Sequence, residues 1–201
     1  NDLLGISIDR EKFAGSTLKS GYRVEASKLR HPLAQGKLSI VQGGLWFLFW
    51  YTLALWAAWW LNPYVVLVVA AALVLEVIYC LLLRVTYWRV LVSGLVKAAG
   101  PLAAVMVVVP NPPLPWLTLL LVWLIVWEIG GQNIPADWND LQEDRRVGAR
   151  TIPVVLGPRR AGLVVFSLLL ATVGLSLFLP LLSPLPLGFG YQLASLAAGL
   201  F

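Results

Sequence analysis

Polar and charged residues are confined to short segments of this chain. Between them run apolar stretches of about 20 residues, the length a helix needs to cross the hydrocarbon core of a bilayer. Five such runs are complete, 40–61, 64–83, 90–109, 114–134 and 161–182, and a sixth occupies 185–201. The joints between them hold Asn62-Pro63, Pro110-Asn111-Pro112-Pro113, and Pro180 with Ser183-Pro184. Proline cannot continue a helix, because it lacks the amide hydrogen and its ring meets the preceding turn. The pattern predicts an all-α fold, a polytopic transmembrane helical bundle making one domain over residues 1–201. The sequence opens on Asn1 and its apolar run stops at Phe201 without a polar tail, so further membrane helices are expected at both sides.

Composition strengthens the membrane reading. Hydrophobic residues make up 59% of the chain and charged ones 12%, with a mean hydropathy of +0.81, outside the range of ordinary soluble domains. The lipid bilayer is therefore the first partner expected. The lone Cys80 excludes a disulfide-stapled fold and reads as a small packed hydrophobe. Trp46, Trp50, Trp56, Trp59 and Trp60 read mostly as interface anchors or lipid-facing bulk.

Charge then sets an orientation. The basic residues fall in three segments, Arg10 to Lys37, Arg84 to Lys97 and Arg145 to Arg160, in every second loop. The alternate loops, around Asn62, Pro112 and Ser183, carry no charge. By the positive-inside rule the charged loops face the cytoplasm, as expected for a bacterial or archaeal cell-membrane protein. The net charge of +5 would suit nucleic acid only on a basic surface in water, so no nucleic-acid partner is expected. Arg159 and Arg160 read as contacts to anionic headgroups.

Two acidic clusters lie at this face. In the second, Asn133, Asp137, Asp140 and Asp144 are spaced four, three and four apart, which puts them on one face of a helix continuing from Leu114; Pro135 can kink that helix without destroying the register. Stacked carboxylates repel unless a cation lies among them, and hard oxygen ligands of this kind suit Mg²⁺ shared with substrate phosphates. The first cluster repeats the theme, with Asp2 and Asp9 two helical turns apart. Lys12, Lys19, Arg23, Lys28 and Arg30 follow the first cluster, and Arg145, Arg146 and Arg150 the second. Carboxylates, metal and basic side chains together describe a diphosphate site. Glu76, Lys97 and Glu128 lie inside apolar runs, where charge is costly and defaults to paired or functional positions.

These motifs resemble those of the UbiA superfamily of intramembrane prenyltransferases, whose hallmarks are Asn-Asp-x-x-Asp-x-x-x-Asp and Asp-x-x-Asp-x-x-x-Asp. The second is present in full as Asp137, Asp140 and Asp144, followed by Arg145, Gly148, Arg150-Thr151-Ile152-Pro153 and Gly157. The first is matched by Asn1, Asp2 and Asp9, with Gly5 at the middle Asp position. His31-Pro32-Leu33-Ala34-Gln35-Gly36 is similar to the family's Arg-Pro-Leu-x-x-Gly, with His31 in the Arg slot. Tyr79 and Arg84 fit a segment with Tyr four residues before Lys-Arg, Leu83 replacing the Lys.

The resemblance implies an Mg²⁺-dependent transfer of a prenyl group from its diphosphate to a small aromatic acceptor, a quinone precursor first of all. Asp2, Asp9, Asp137, Asp140 and Asp144 would be the catalytic metal ligands. Asn1, Lys12, Arg23, Arg30, Tyr79, Arg84, Asn133 and Arg145 would bind substrate, and Tyr79, Tyr87, Trp88 and Trp138 would offer aromatic faces to the prenyl cation. The long stretch between Asp9 and His31 reads as a cap shaping acceptor access or as a surface excursion. A glycerol phosphate, porphyrin or sugar phosphate acceptor stands as an alternative. In another class stands a cation transporter, though its acids would be expected along the pore and not at one face. The Asp-Gly-x-x-Ala-Arg opening of CDP-alcohol phosphotransferases is absent.

Overall fold

The computed structural model describes residues 2–14, 31–109 and 111–199. Among these the regular elements are all helical. A short helix, α1 (Asp2–Ala14), precedes α2 (Ile40–Leu61), α3 (Pro63–Leu81), α4 (Arg89–Val108) and α5 (Leu114–Trp127). A π-helical segment, Glu128–Asn133, joins α5 to α6 (Ile134–Asn139), followed by α7 (Leu141–Arg146), α8 (Ile152–Leu156), α9 (Pro158–Leu182) and α10 (Phe189–Gly199). Among the described residues five helices are long and apolar enough to cross a membrane: α2, α3, α4, the continuous run Leu114–Asn139, and α9. The eleven-residue α10 is shorter than a full crossing needs.

Local chemistry accounts for the boundaries. Ser39 and Gln42 form a reciprocal capping box at the start of α2, satisfying two amides that would otherwise lack partners. Asn62 ends α2 and caps α3, its side chain accepting from the Tyr64 amide at 3.0 Å while Pro63 takes the first helical position. The same side chain donates to the Met106 carbonyl at 2.9 Å. A buried asparagine thus ties the turn to the far end of α4.

The helices pack in the order α2, α3, α4, α5 with its π segment, and α9, with α10 against α9 and α1 lying across α2 and α3. Close approach depends on small residues. A Cβ on Gly94 would meet Ile125 at 2.8 Å, and one on Gly130 would meet the Leu168 Cβ at 2.7 Å. Such contacts are how membrane helices associate without a hydrophobic driving force. A buried apolar cluster, Val90, Ile129, Ile134, Ile152 and Ala161, lies at the motif-bearing end. On the outside, α2 is almost wholly exposed, with Trp46, Trp56, Trp59 and Trp60 more than 60% accessible, as befits a surface that meets lipid.

Candidate active site

The second acidic cluster is held on a helix that changes pitch before reaching it. In the π segment the Ile134 amide reaches back five residues to the Ile129 carbonyl. The extra residue re-aims everything downstream, and Glu128 and Asn133, at the two ends of the segment, line the same cavity. The chain then bends at Asp140 (φ −95°, ψ 11°), yet the ladder continues, the Asp140 amide bonding to Ala136 at 3.3 Å and the Asp144 amide to Asp140 at 2.8 Å. The four-three-four register therefore survives the break. Gly148, at φ 70°, lets the chain turn away after α7, a left-handed conformation that glycine adopts without a Cβ clash. The Arg150 amide then bonds to the Leu83 carbonyl at 2.8 Å, locking the turn to the end of α3.

Opposite stands α1. Lys12 donates to Asp144 Oδ1 at 2.9 Å and lies 4.0 Å from Asp140 Oδ2. Arg146 donates to the Lys12 carbonyl. Burial works against the charge on Lys12, but the attraction and hydrogen bond of Asp144, with Asp140 and Asp9, prevail and hold its pKa above the ordinary lysine value. On the other side of α1, His31 Nδ1 lies 3.2 Å from Asp2 Oδ1 and 3.2 Å from Asp9 Oδ2. The hydrogen bond to Asp9, opposed by burial and helped by both carboxylate charges, raises the imidazole above its usual pKa. One ligand atom from each of Asp2, Asp9 and His31 falls within 4.8 Å of the others, the one such triad among the described residues.

Asp9, Lys12 and His31 share with Asp137, Asp140 and Asp144 a cavity of about 580 Å³. Its middle layer is a polar knot. Arg89, 7% exposed, donates to the Tyr79 hydroxyl at 2.8 Å, lies 3.6 Å from Asp137 Oδ1, and stacks 4.2 Å over the Tyr79 ring. Asn133 donates to Ser93 at 2.9 Å and to Tyr79 at 3.4 Å. Two buried polar atoms in this knot, Arg89 Nε and Asn133 Oδ1, have no hydrogen-bond partner. One turn deeper, Glu76, Lys97 and Glu128 also line the cavity.

The candidates named from sequence divide accordingly. Asp9, Lys12, Tyr79, Asn133, Asp137, Asp140 and Asp144 line the cavity, and Asp2 joins it through His31. Arg84 does not line it; half exposed, it pairs with Glu11. Arg145 is exposed and also away from the lining. Asn1, Arg23 and Arg30 lie outside the described residues, as do Lys19, Lys28 and most of the stretch between Asp9 and His31. Of the aromatic candidates only Tyr79 borders the cavity; Tyr87 and Trp88 stack on each other, and Trp138 faces Gly162. Sequence reasoning missed Arg89 and Ser93. The available signal was Arg89 opening an apolar run ten residues after Tyr79, with Ser93 one helical turn on.

With this arrangement in view, comparison with known proteins decides the family. The model of the UbiA prenyltransferase family matches residues 1–201. This chain belongs to the UbiA prenyltransferase family. A solved structure of a UbiA homolog from Archaeoglobus fulgidus, bound to DMAPP and Mg²⁺, shares the fold with a TM-score of 0.74 at 20% sequence identity. The match covers 100% of this UbiA-family chain and 66% of that one. No curated protein sequence matches it. Its spanning helices and its family make it an integral membrane protein.

Proposed function

We infer that this chain performs the intramembrane transfer of a prenyl group from its diphosphate to an aromatic quinone precursor. The observation that carries the reading is that both acidic motifs of a UbiA-family chain meet at one cavity, in company with Lys12 and Arg89. The DMAPP and Mg²⁺ in the archaeal homolog support the same substrate class. Asp137, Asp140 and Asp144 on one side, with Asp2 and Asp9 on the other, are hard oxygen donors fit for Mg²⁺. The unpartnered Asn133 Oδ1 and Arg89 Nε mark the knot between them as built for a polar ligand. Bound there, Mg²⁺ would neutralise charge on the diphosphate oxygens.

The remaining work falls to the chain's own side chains. Lys12, an ammonium on a four-carbon stem, can exchange Asp144 for a phosphate oxygen, whereas Arg89, held by Tyr79, presents a planar fork. Both stabilise the charge that grows on the diphosphate as the allylic carbon–oxygen bond lengthens. The Tyr79 ring, beside the cavity, can face the allylic cation that forms. The acceptor's ring carbon then bonds to the allylic carbon and loses its proton. The isoprenoid tail and the product remain in lipid, and the charge bias of the loops supports a diphosphate bound at the cytoplasmic edge.

The test uses purified full-length protein with radiolabelled geranyl diphosphate and a panel of hydroxybenzoate and dihydroxynaphthoate acceptors, with glycerol phosphate beside them. Diphosphate release that requires Mg²⁺, stops with EDTA, and is lost in Asp140→Ala is the expected result. Unchanged release in Asp140→Ala, or cation flux in proteoliposomes without any transfer, would count against the reading.

A further inference from the structure

Position 5 lies between Asp2 and Asp9 at steps of three and four, so the three share one face of α1. A glycine stands there, and the first motif is short of one carboxylate. The structure brings a different donor to the gap. Gly5 and His31 border the same cavity, and the imidazole Nδ1 lies 3.2 Å from an oxygen of Asp2 and 3.2 Å from an oxygen of Asp9.

We propose that His31 supplies the ligand that Gly5 lacks, so that Asp2, Asp9 and His31 Nδ1 form a mixed oxygen and nitrogen site for a divalent cation. The proposal rests on the reading of the first motif as a metal site. Neighbouring ligands on an octahedral ion with bonds of about 2.1 Å stand about 3 Å apart, and the nitrogen-to-oxygen separations agree with that spacing. The ring is held in place by its surroundings. His31 itself adopts a left-handed backbone at φ 54°. Two residues on, Leu33 is buried at 5% exposure in the hollow left by Gly43 of α2, where a Cβ would come within 2.9 Å of its side chain. His31 is the one histidine in the chain, and no other residue type offers an imidazole.

A nitrogen ligand changes which ion is preferred. Mg²⁺ favours oxygen donors, while first-row transition ions accept imidazole readily. The site is therefore expected to bind Mn²⁺ more tightly than Mg²⁺, whereas the all-carboxylate second motif shows the smaller preference.

Electron spin-echo spectroscopy of Mn²⁺ bound to the full-length protein, prepared with ordinary and with ¹⁵N-labelled histidine, tests this without any turnover. One directly bonded imidazole nitrogen is expected, absent from His31→Ala, together with about tenfold weaker Mn²⁺ binding in that variant. Adding Gly5→Asp to His31→Ala restores cation affinity without the nitrogen signal, and so separates ligand loss from misfolding. Mn²⁺ bound equally by native protein and His31→Ala, with no nitrogen coupling in either, overturns the proposal and leaves the diphosphate reading intact. Failure of Mn²⁺ to bind the native protein at all, with or without geranyl diphosphate, overturns both.

Discussion

Arg89 shows how one side chain can organise a site without belonging to its motif. Its guanidinium bonds to the Tyr79 hydroxyl, stacks on the ring below, and stands 3.6 Å from Asp137. A planar fork can do these things together, and an ammonium cannot. Arg89→Lys is expected to weaken prenyl diphosphate binding by about tenfold, equivalent to about 1.4 kcal/mol, in an equilibrium assay with the purified protein. Arg84 gives the opposite prediction. Its partner is Glu11, both are about half exposed, and such pairs contribute about 0 to 1 kcal/mol. Arg84→Gln should leave prenyl diphosphate affinity within about twofold, since screening by solvent leaves little energy to lose. A tenfold loss would mean that Arg84 swings to the substrate.

At the scale of the element, the π segment is the feature that aims the second motif. Glu128 and Asn133 both line the cavity, whereas a plain α-helix, advancing about 100° per residue, would place two residues five apart on different faces. Deleting Gly131 should convert the turn to ordinary α-helix and rotate Asn133 away from Tyr79 and Ser93 and Asp137 away from Arg89. The expected result is unchanged helical circular dichroism with prenyl diphosphate binding lost. Gly130 in the same segment serves packing, because a Cβ there would meet Leu168 at 2.7 Å. Overpacking of this sort typically costs about 1–3 kcal/mol, so Gly130→Val should lower the thermal midpoint in detergent.

For the whole molecule, the membrane accounts for a surface that water would not tolerate. Trp46, Trp56, Trp59 and Trp60 line α2 and are over 60% exposed; indole rings at such positions meet acyl chains or headgroups. Reconstitution into bilayers of brominated lipid should quench most of the tryptophan fluorescence. Quenching confined to a small fraction would place a further protein surface over α2. At one end of this bundle the charged groups gather, and they are joined across great sequence distance: Lys12 and Asp144 are 132 positions apart.

That distance separates what is legible in the sequence from what is not. The apolar runs and their proline-marked joints are imposed by bilayer thickness and by backbone hydrogen bonding, both local constraints, so the all-helical membrane fold can be read directly from the order of residues. The helical spacing of Asn133, Asp137, Asp140 and Asp144 is equally local, and it persists through a bend at Asp140 that the sequence does not announce, after a π turn that it does not announce either. Which cation serves the knot is not local. Arg84 and Arg89 differ little by sequence, but α4 packs against α3 so that Arg89 meets Tyr79 and Asp137, while Arg84 turns out toward Glu11. The place of His31 beside Asp2 and Asp9 likewise depends on a turn anchored by Leu33 against α2. Periodicity along one helix can say which residues share a face; only the packing of helices, and the chain segments strung between them, decides what that face meets.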